Sequence, residues 1–233
     1  MRWLRTYWLW FIINIIAILP LIGLLNSFQV DFSNGGVPDI TITQPVFPER
    51  EEIGGGENIA APVEPREHTP SSFMVHVTGE WAIRWLVLCL SCTPLYILFG
   101  WRSWLSVKKA LGLYAFMYGI LHLLFFAAAE GWLAVFSEFN FVMGLLALLI
   151  MLPLALTSNR WSMQSLGKGW KLLHRAVYAA GIFAVLHLAF LGEGSAILYA
   201  VIIGIGLAIR VPQVRIWITH FRQTMFRRSP VPA

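Results

Sequence analysis

The stretch GWKLLHRAVYAAGIFAVLHLAF, residues 169–190, is apolar over a length that crosses a bilayer, yet it carries two histidines, His174 and His187. Hydrocarbon offers no hydrogen-bond partners, so a segment inside it must satisfy its own backbone, and an α-helix does so within one chain. About 20 residues rising 1.5 Å each cover the ~30 Å apolar core of a bilayer. An imidazole at such a depth is costly and as a rule faces the bundle interior, where it meets a partner. The stretch therefore points to a membrane helix bundle and asks what its histidines bind.

The rest of the chain has the same character. Of its 233 residues 58% are hydrophobic and 12% charged, against roughly 25% charged in a soluble domain. Six runs of spanning length are read at about 7–25, 81–99, 110–129, 139–157, 173–191 and 195–211. Their apolar residues are continuous rather than alternating, which excludes barrel strands. The expected fold is an all-α membrane protein of six transmembrane helices with both termini cytoplasmic.

Charge sets the orientation, because cytoplasmic loops retain Lys and Arg. With the N-terminus inside, Arg2, Arg5, Arg102, Lys108, Lys109, Arg160, Lys168, Lys171, Arg175, Arg210, Arg215, Arg222, Arg227 and Arg228 fall on the inner side. Only Arg50, Arg66 and Arg84 fall outside, and all 12 acids lie outside or at outer helix ends. The net charge of +5 is thus positive-inside anchoring on membrane lipid and not a nucleic-acid footprint. The first run is read as a retained anchor rather than a signal peptide: it is long, rich in Trp and Ile, and lacks a small-residue cleavage site before Asn26. The chain divides into an anchor helix (1–25), an outer loop (26–79), a five-helix domain (80–212) and a basic cytoplasmic tail (213–233).

The outer loop is rich in Pro, Gly and Glu and reads as extended or disordered, or as a strap that orders on a partner. His68 and His76, in or beside it, have no neighbours at metal-ligand spacing and read as solvated. Cys89 and Cys92 form CLSC, followed by Thr93; this is not a covalent haem motif, and the pair reads as small packing residues. The other connections are short, so helices 2 to 6 are expected to pack as antiparallel neighbours. No internal repeat and no nucleotide-binding glycine pattern is seen. Any reductant must come from another protein or from the membrane.

Three histidines lie in membrane helices: His122, His174 and His187. From an inner start near Ala110, His122 lies ~18 Å along its helix, and from Leu173, His187 lies ~21 Å along its own. Two imidazoles at one level on facing helices are what bis-histidine ligation of haem iron requires, with the porphyrin in the apolar gap. Gly119 and Gly181 are expected to make room for the macrocycle. Each histidine also has a plainer reading, an interhelical hydrogen bond to a hydroxyl or carbonyl.

His174 sits ~20 Å below His187 and about 140° around the helix from it. A second haem at the inner level needs a partner for His174 near 108 or 109, where the chain has Lys108 and Lys109. These lysines, with Arg160, Lys168, Lys171 and Arg175, are candidates for propionate or flavin phosphate, or are simply anchoring charges. One haem is supported, and a second is left open with incomplete or unusual ligation.

The run TSNRWSMQSLGKGWKLLHRAVYAAGIFAVLH (157–187) resembles the signature of the MsrQ family, ferric-reductase-like transmembrane subunits. The matching features are Thr157–Ser158, Leu166–Gly167, Trp170, Leu173–His174, Tyr178 and His187. TGEWAIRWLVLCLSCTPL (78–95) and KKALGLYAFMYGILHL (108–123) are similar to two further family helices. The resemblance implies a b-type cytochrome of the bacterial inner membrane. It would pass electrons from quinol or a cytoplasmic flavin reductase to the periplasmic molybdopterin enzyme MsrP, which reduces protein methionine sulfoxide. It further implies His122 and His187 as outer-haem ligands, His174 as an inner or shared ligand, and an association with FMN, for which no motif here fixes a position.

The outer loop is longer than the resemblance leads one to expect. It motivates a competing class, a haem- or pigment-binding structural subunit of a larger respiratory or photosynthetic complex. A transporter is disfavoured, because intramembrane acids, broken helices and inverted repeats are not seen.

Overall fold

The computed structural model describes residues 2–26, 28–31, 39–42 and 70–225. Helix α1 (Arg2–Asn26) is followed by a two-stranded antiparallel hairpin, β1 (Phe28–Asp31) and β2 (Asp39–Ile42), with Phe28 opposite Ile42 and Asp31 opposite Asp39. The hairpin lies at the start of the loop that reads as extended or disordered. The remainder of the possible strap, with His68, lies outside the described residues.

Helix α2 (Pro70–Phe99) begins eleven residues before the apolar run that announced it. Hydropathy misses this extension because Ser71, Ser72, His76, Thr78 and Glu80 interrupt it. Two of these side chains are satisfied within the helix itself. Thr78 is fully buried, with its hydroxyl donating to Met74 O at 2.7 Å, and Arg84 pairs with Glu80 at 2.9 Å one turn away. A proline at the first helical position costs nothing, since its missing N–H has no partner there.

Helix α3 (Ser103–Glu130) returns across the bundle and ends at Gly131, whose φ of +90° is open to glycine. A short 3₁₀ turn, Trp132–Phe136, leads into α4 (Phe139–Leu156). Two short helices, α5 (Arg160–Leu166) and α6 (Lys168–Leu173), are joined by Gly167 at φ +51°. A 3₁₀ turn at His174–Ala176 connects α6 to α7 (Val177–Phe190), and α8 (Ser195–Arg210) follows. Helix α9 (Pro212–Met225) leaves α8 at 78°, because Pro212 holds Val211 in an extended conformation, φ −55° and ψ 130°.

Four helical segments among the described residues are long and apolar enough to cross a membrane: Phe73–Phe99, Ser103–Glu130, Phe139–Leu156 and Lys168–Phe190. A fifth is added when α8 and α9 are counted as one bent span, and α1 contains a shorter apolar stretch, Trp8–Gly23. The chain is an all-α, multi-pass membrane protein with one small hairpin outside the bundle.

Helices α2, α3, α4, α7 and α8 form a closed ring, α2 touching both α3 and α8. The core lies along α2, where Trp85, Leu86, Cys89 and Leu90 pack against Val107, Leu111, Ala115 and Tyr118 of α3. Outward-facing Leu149, Ile182, Ile197 and Leu198 are exposed, the inverse of a soluble surface and suited to lipid. Helix α1 docks on α3: Tyr118 Oη donates to Ala17 O at 2.6 Å, and the Tyr114 hydroxyl bonds Asn14.

Candidate functional site

A cavity of about 360 Å³ lies between α2, α3, α4 and α7. Its walls are small or apolar (Ala115, Gly119, Phe126, Ala147, Leu148, Ala184), and His76, Glu80, Glu130 and Glu193 also line it. His122 of α3 and His187 of α7 both line it, with ring centres 6.2 Å apart and planes 74° to one another.

Each ring is held in the same way. His122 Nδ1 lies 2.8 Å from Val75 O on α2, and His187 Nδ1 lies 2.7 Å from Asn140 O on α4. A carbonyl only accepts, so both Nδ1 atoms carry the proton and both Nε2 atoms keep a free lone pair. This is the tautomer in which an imidazole binds a metal through Nε2 while a carbonyl fixes its orientation. Glycine lies under each ring. A Cβ on Gly79 would stand 2.9 Å from His122 Nδ1, and one on Gly144 would stand 3.1 Å from His187 Nδ1.

The arrangement is a repeat. Gly79 precedes His122 by 43 residues and Gly144 precedes His187 by 43; each accepting carbonyl lies 47 before its histidine. The α2–α3 and α4–α7 pairs thus present the same device at a shift of 65 residues. Sequence reading found no internal repeat because the equivalence rests on a few positions (Val75 and Asn140, Gly79 and Gly144, Ala115 and Ala180), not on a run of identities. The equal glycine–histidine spacing was the signal available.

His174 is placed differently. Its Nδ1 donates to Trp170 O at 3.2 Å, its ring stacks on Trp170 with centres 4.0 Å apart, and its Nε2 is 3.5 Å from Ser158 Oγ. Among the described residues no second histidine ring is in contact with it. Lys108 is half-buried, with Nζ 3.5 Å from Thr93 Oγ1, whereas Lys109 and Arg175 are exposed. Gly119 lines the cavity as expected, against Leu148. Gly181 does not: it is buried where Leu90 and Ile203 pack against α7, with Leu90 Cδ1 3.0 Å from a Cβ built there. Cys89 and Cys92 are free, buried thiols. His76, read as solvated, is largely exposed but lines the cavity, 4.0 Å from Glu80 Oε1.

The family model described as ferric reductase like transmembrane component matches residues 78–185. The protein-methionine-sulfoxide reductase heme-binding subunit MsrQ of Rhodospirillum rubrum is 38% identical over 149 residues, 59% of this chain and 72% of that protein. MsrQ of Azospira oryzae is 39% identical over 152 residues (60% and 64%), and that of Xanthomonas euvesicatoria 34% over 176 (70% and 78%). The chain belongs to the MsrQ family. No solved structure matches it significantly.

Proposed function

We propose that this chain is the b-type cytochrome subunit that carries electrons across the bacterial inner membrane to a periplasmic protein-methionine-sulfoxide reductase. The observation that carries the proposal is the His122–His187 pair. Their ring centres lie 6.2 Å apart, a separation on the scale of two imidazoles that share one metal ion. Among the described residues no three His, Cys, Asp or Glu side chains converge on one point. Two imidazoles alone leave most positions around a metal to be filled by something else, and a macrocycle with its own four nitrogens fills them. The relatives are named as heme-binding subunits, which agrees.

His122 and His187 would hold one haem b, which supplies a one-electron carrier in a medium that electrons do not otherwise cross. The chain's own contribution is to fix both Nε2 lone pairs through Val75 O and Asn140 O, and to line the gap with Ala115, Gly119, Ala147 and Ala184. We assign His174 no haem of its own, since Ser158 and Trp170 occupy its surroundings. Lys108, Lys109 and Arg175 remain candidates for a phosphate, such as that of FMN, at the cytoplasmic rim. Quinol or a cytoplasmic flavin reductase is the proposed donor and a molybdopterin enzyme the proposed acceptor. The topology proposed is six spans, with α1 as the first and α8 as the last, and both termini cytoplasmic.

The test is the reduced-minus-oxidised absorbance of purified protein. A low-spin haem b spectrum is expected in the wild type and in His174→Ala, and is lost in His122→Ala and in His187→Ala. A fully loaded wild type without that spectrum overturns the proposal. Electron delivery is checked separately, by methionine-sulfoxide reduction in vesicles holding this chain and the reductase.

A further inference from the structure

We infer that Gly79 and Gly144 are positioning residues that set the orientation of the two imidazoles, one glycine for each ring. The inference rests on the haem reading for its consequence but not for its geometry.

A carbonyl inside a helix points toward the residue one turn on, and a side chain there shields it. Val75 O and Asn140 O are each followed four residues later by glycine. The bare Cα at Gly79 and Gly144 leaves the carbonyl open to a donor from another helix, and each histidine ring lies flush on the opening. The contact leaves no slack. A Cβ at Gly79 meets His122 Nδ1 at 2.9 Å and Cε1 at 3.0 Å; one at Gly144 meets His187 Nδ1 at 3.1 Å and Cε1 at 3.2 Å. These are ring atoms on a short side chain, not the end of a flexible one, so any substituent displaces the imidazole or separates the helices. Both outcomes lengthen the Nδ1–H···O=C bond and turn the plane of the ring. The 74° angle between the rings is therefore set by where two glycines sit on α2 and α4, the helices that carry no ligand.

The occurrence of the device twice, at a shift of 65 residues, argues against accident. Glycine is a poorer helix residue than alanine, and at both matched positions a Cβ would meet the imidazole. Other helical glycines of the bundle meet no imidazole: a Cβ on Gly119 or Gly181 would meet a leucine Cδ1 at 3.0 Å, one on Gly206 Pro94 Cγ at 3.3 Å and one on Gly112 Cys89 Sγ at 3.4 Å, all helix-packing contacts.

The experiment is Gly79→Ala and Gly144→Ala in haem-loaded protein, with Gly206→Ala as the packing control. Ferric electron paramagnetic resonance reads ring orientation, since near-perpendicular imidazoles give a strongly axial low-spin signal. Haem titration of the stripped protein reads affinity. Loss or shift of that signal and at least about tenfold weaker haem binding, the usual range for a lost orienting contact, are expected for both variants and not for the control. Unchanged spectra and affinity in both overturn the inference. Should either variant fold poorly, a stability cycle in haem-free protein decides: the penalty of Gly79→Ala should vanish in the His122→Ala background, and that of Gly144→Ala in His187→Ala. A penalty that persists without the ring makes the glycine a helix-packing residue only, and overturns the inference. Failure of the wild type to bind haem instead sinks the proposed function, and the stability cycle still tests the ring seats independently.

Discussion

Replacing Ala147 with leucine should act in opposite directions on the empty and the loaded protein. Ala147 lines the cavity from α4, one turn past Gly144, and is itself 6% exposed. Leucine adds three carbon atoms to that wall. At about 0.8 kcal/mol per buried methylene the gain is at most about 2.4 kcal/mol, and rotamer restriction removes about 0.5–1 kcal/mol of it. A net gain of about 1.5 kcal/mol follows for the haem-free chain, or about 3–6 °C in Tm for a protein of this size. In the loaded protein the same atoms occupy space the macrocycle needs, and overpacking costs about 1–3 kcal/mol. Haem affinity falls by the sum of the two effects, about 2.5–4.5 kcal/mol, or about sixtyfold to more than a thousandfold. The assay is a pair of melting curves, with and without haem, and a haem titration. A variant that melts lower when empty and binds haem as the wild type does would refute the assignment of the cavity as the cofactor chamber.

Three further outcomes follow from other contacts. Arg222 of α9 donates to Tyr96 O and Ile97 O at 3.1 and 2.8 Å, closing the C-terminal end of α2; Arg222→Ala should loosen α9 by about 2 kcal/mol, two partly exposed charge-assisted bonds, read as faster proteolysis between α8 and α9, and equal cleavage rates would sink this cap. Tyr118→Phe removes the hydroxyl that ties α3 to Ala17 and should weaken α1 docking by about 1 kcal/mol, the scale of an interhelical hydrogen bond in a membrane; an unchanged melting temperature counts against α1 as part of the bundle. Cys89 and Cys92, both buried, should resist a membrane-permeant maleimide in native protein and label fully after denaturation, and native labelling would contradict their placement.

Much of this molecule is legible in the sequence. Hydropathy is a sum over neighbouring residues, so α3, α4, α7 and α8 can be read from runs of apolar side chains. The rise per residue is fixed, so His122 and His187 can be placed at one depth and His174 at another. What cannot be read depends on rotation about the helix axes and on which helices touch. Gly181 was expected beside the macrocycle and instead packs under Leu90; a helix turned by part of a revolution changes what a residue faces without changing its depth. The first eleven residues of α2 escape hydropathy because polar side chains there are satisfied by the helix itself, as at Thr78 and Glu80, and the scale scores them as loop. Composition and charge by themselves determined a multi-pass helical protein with its basic residues gathered toward one side. The tertiary structure alone decided that two carbonyls from α2 and α4 hold the imidazoles of α3 and α7, and that two glycines make those carbonyls reachable. A hydrogen bond between residues 47 apart has no local signature, because it exists only once two helices have chosen each other's faces.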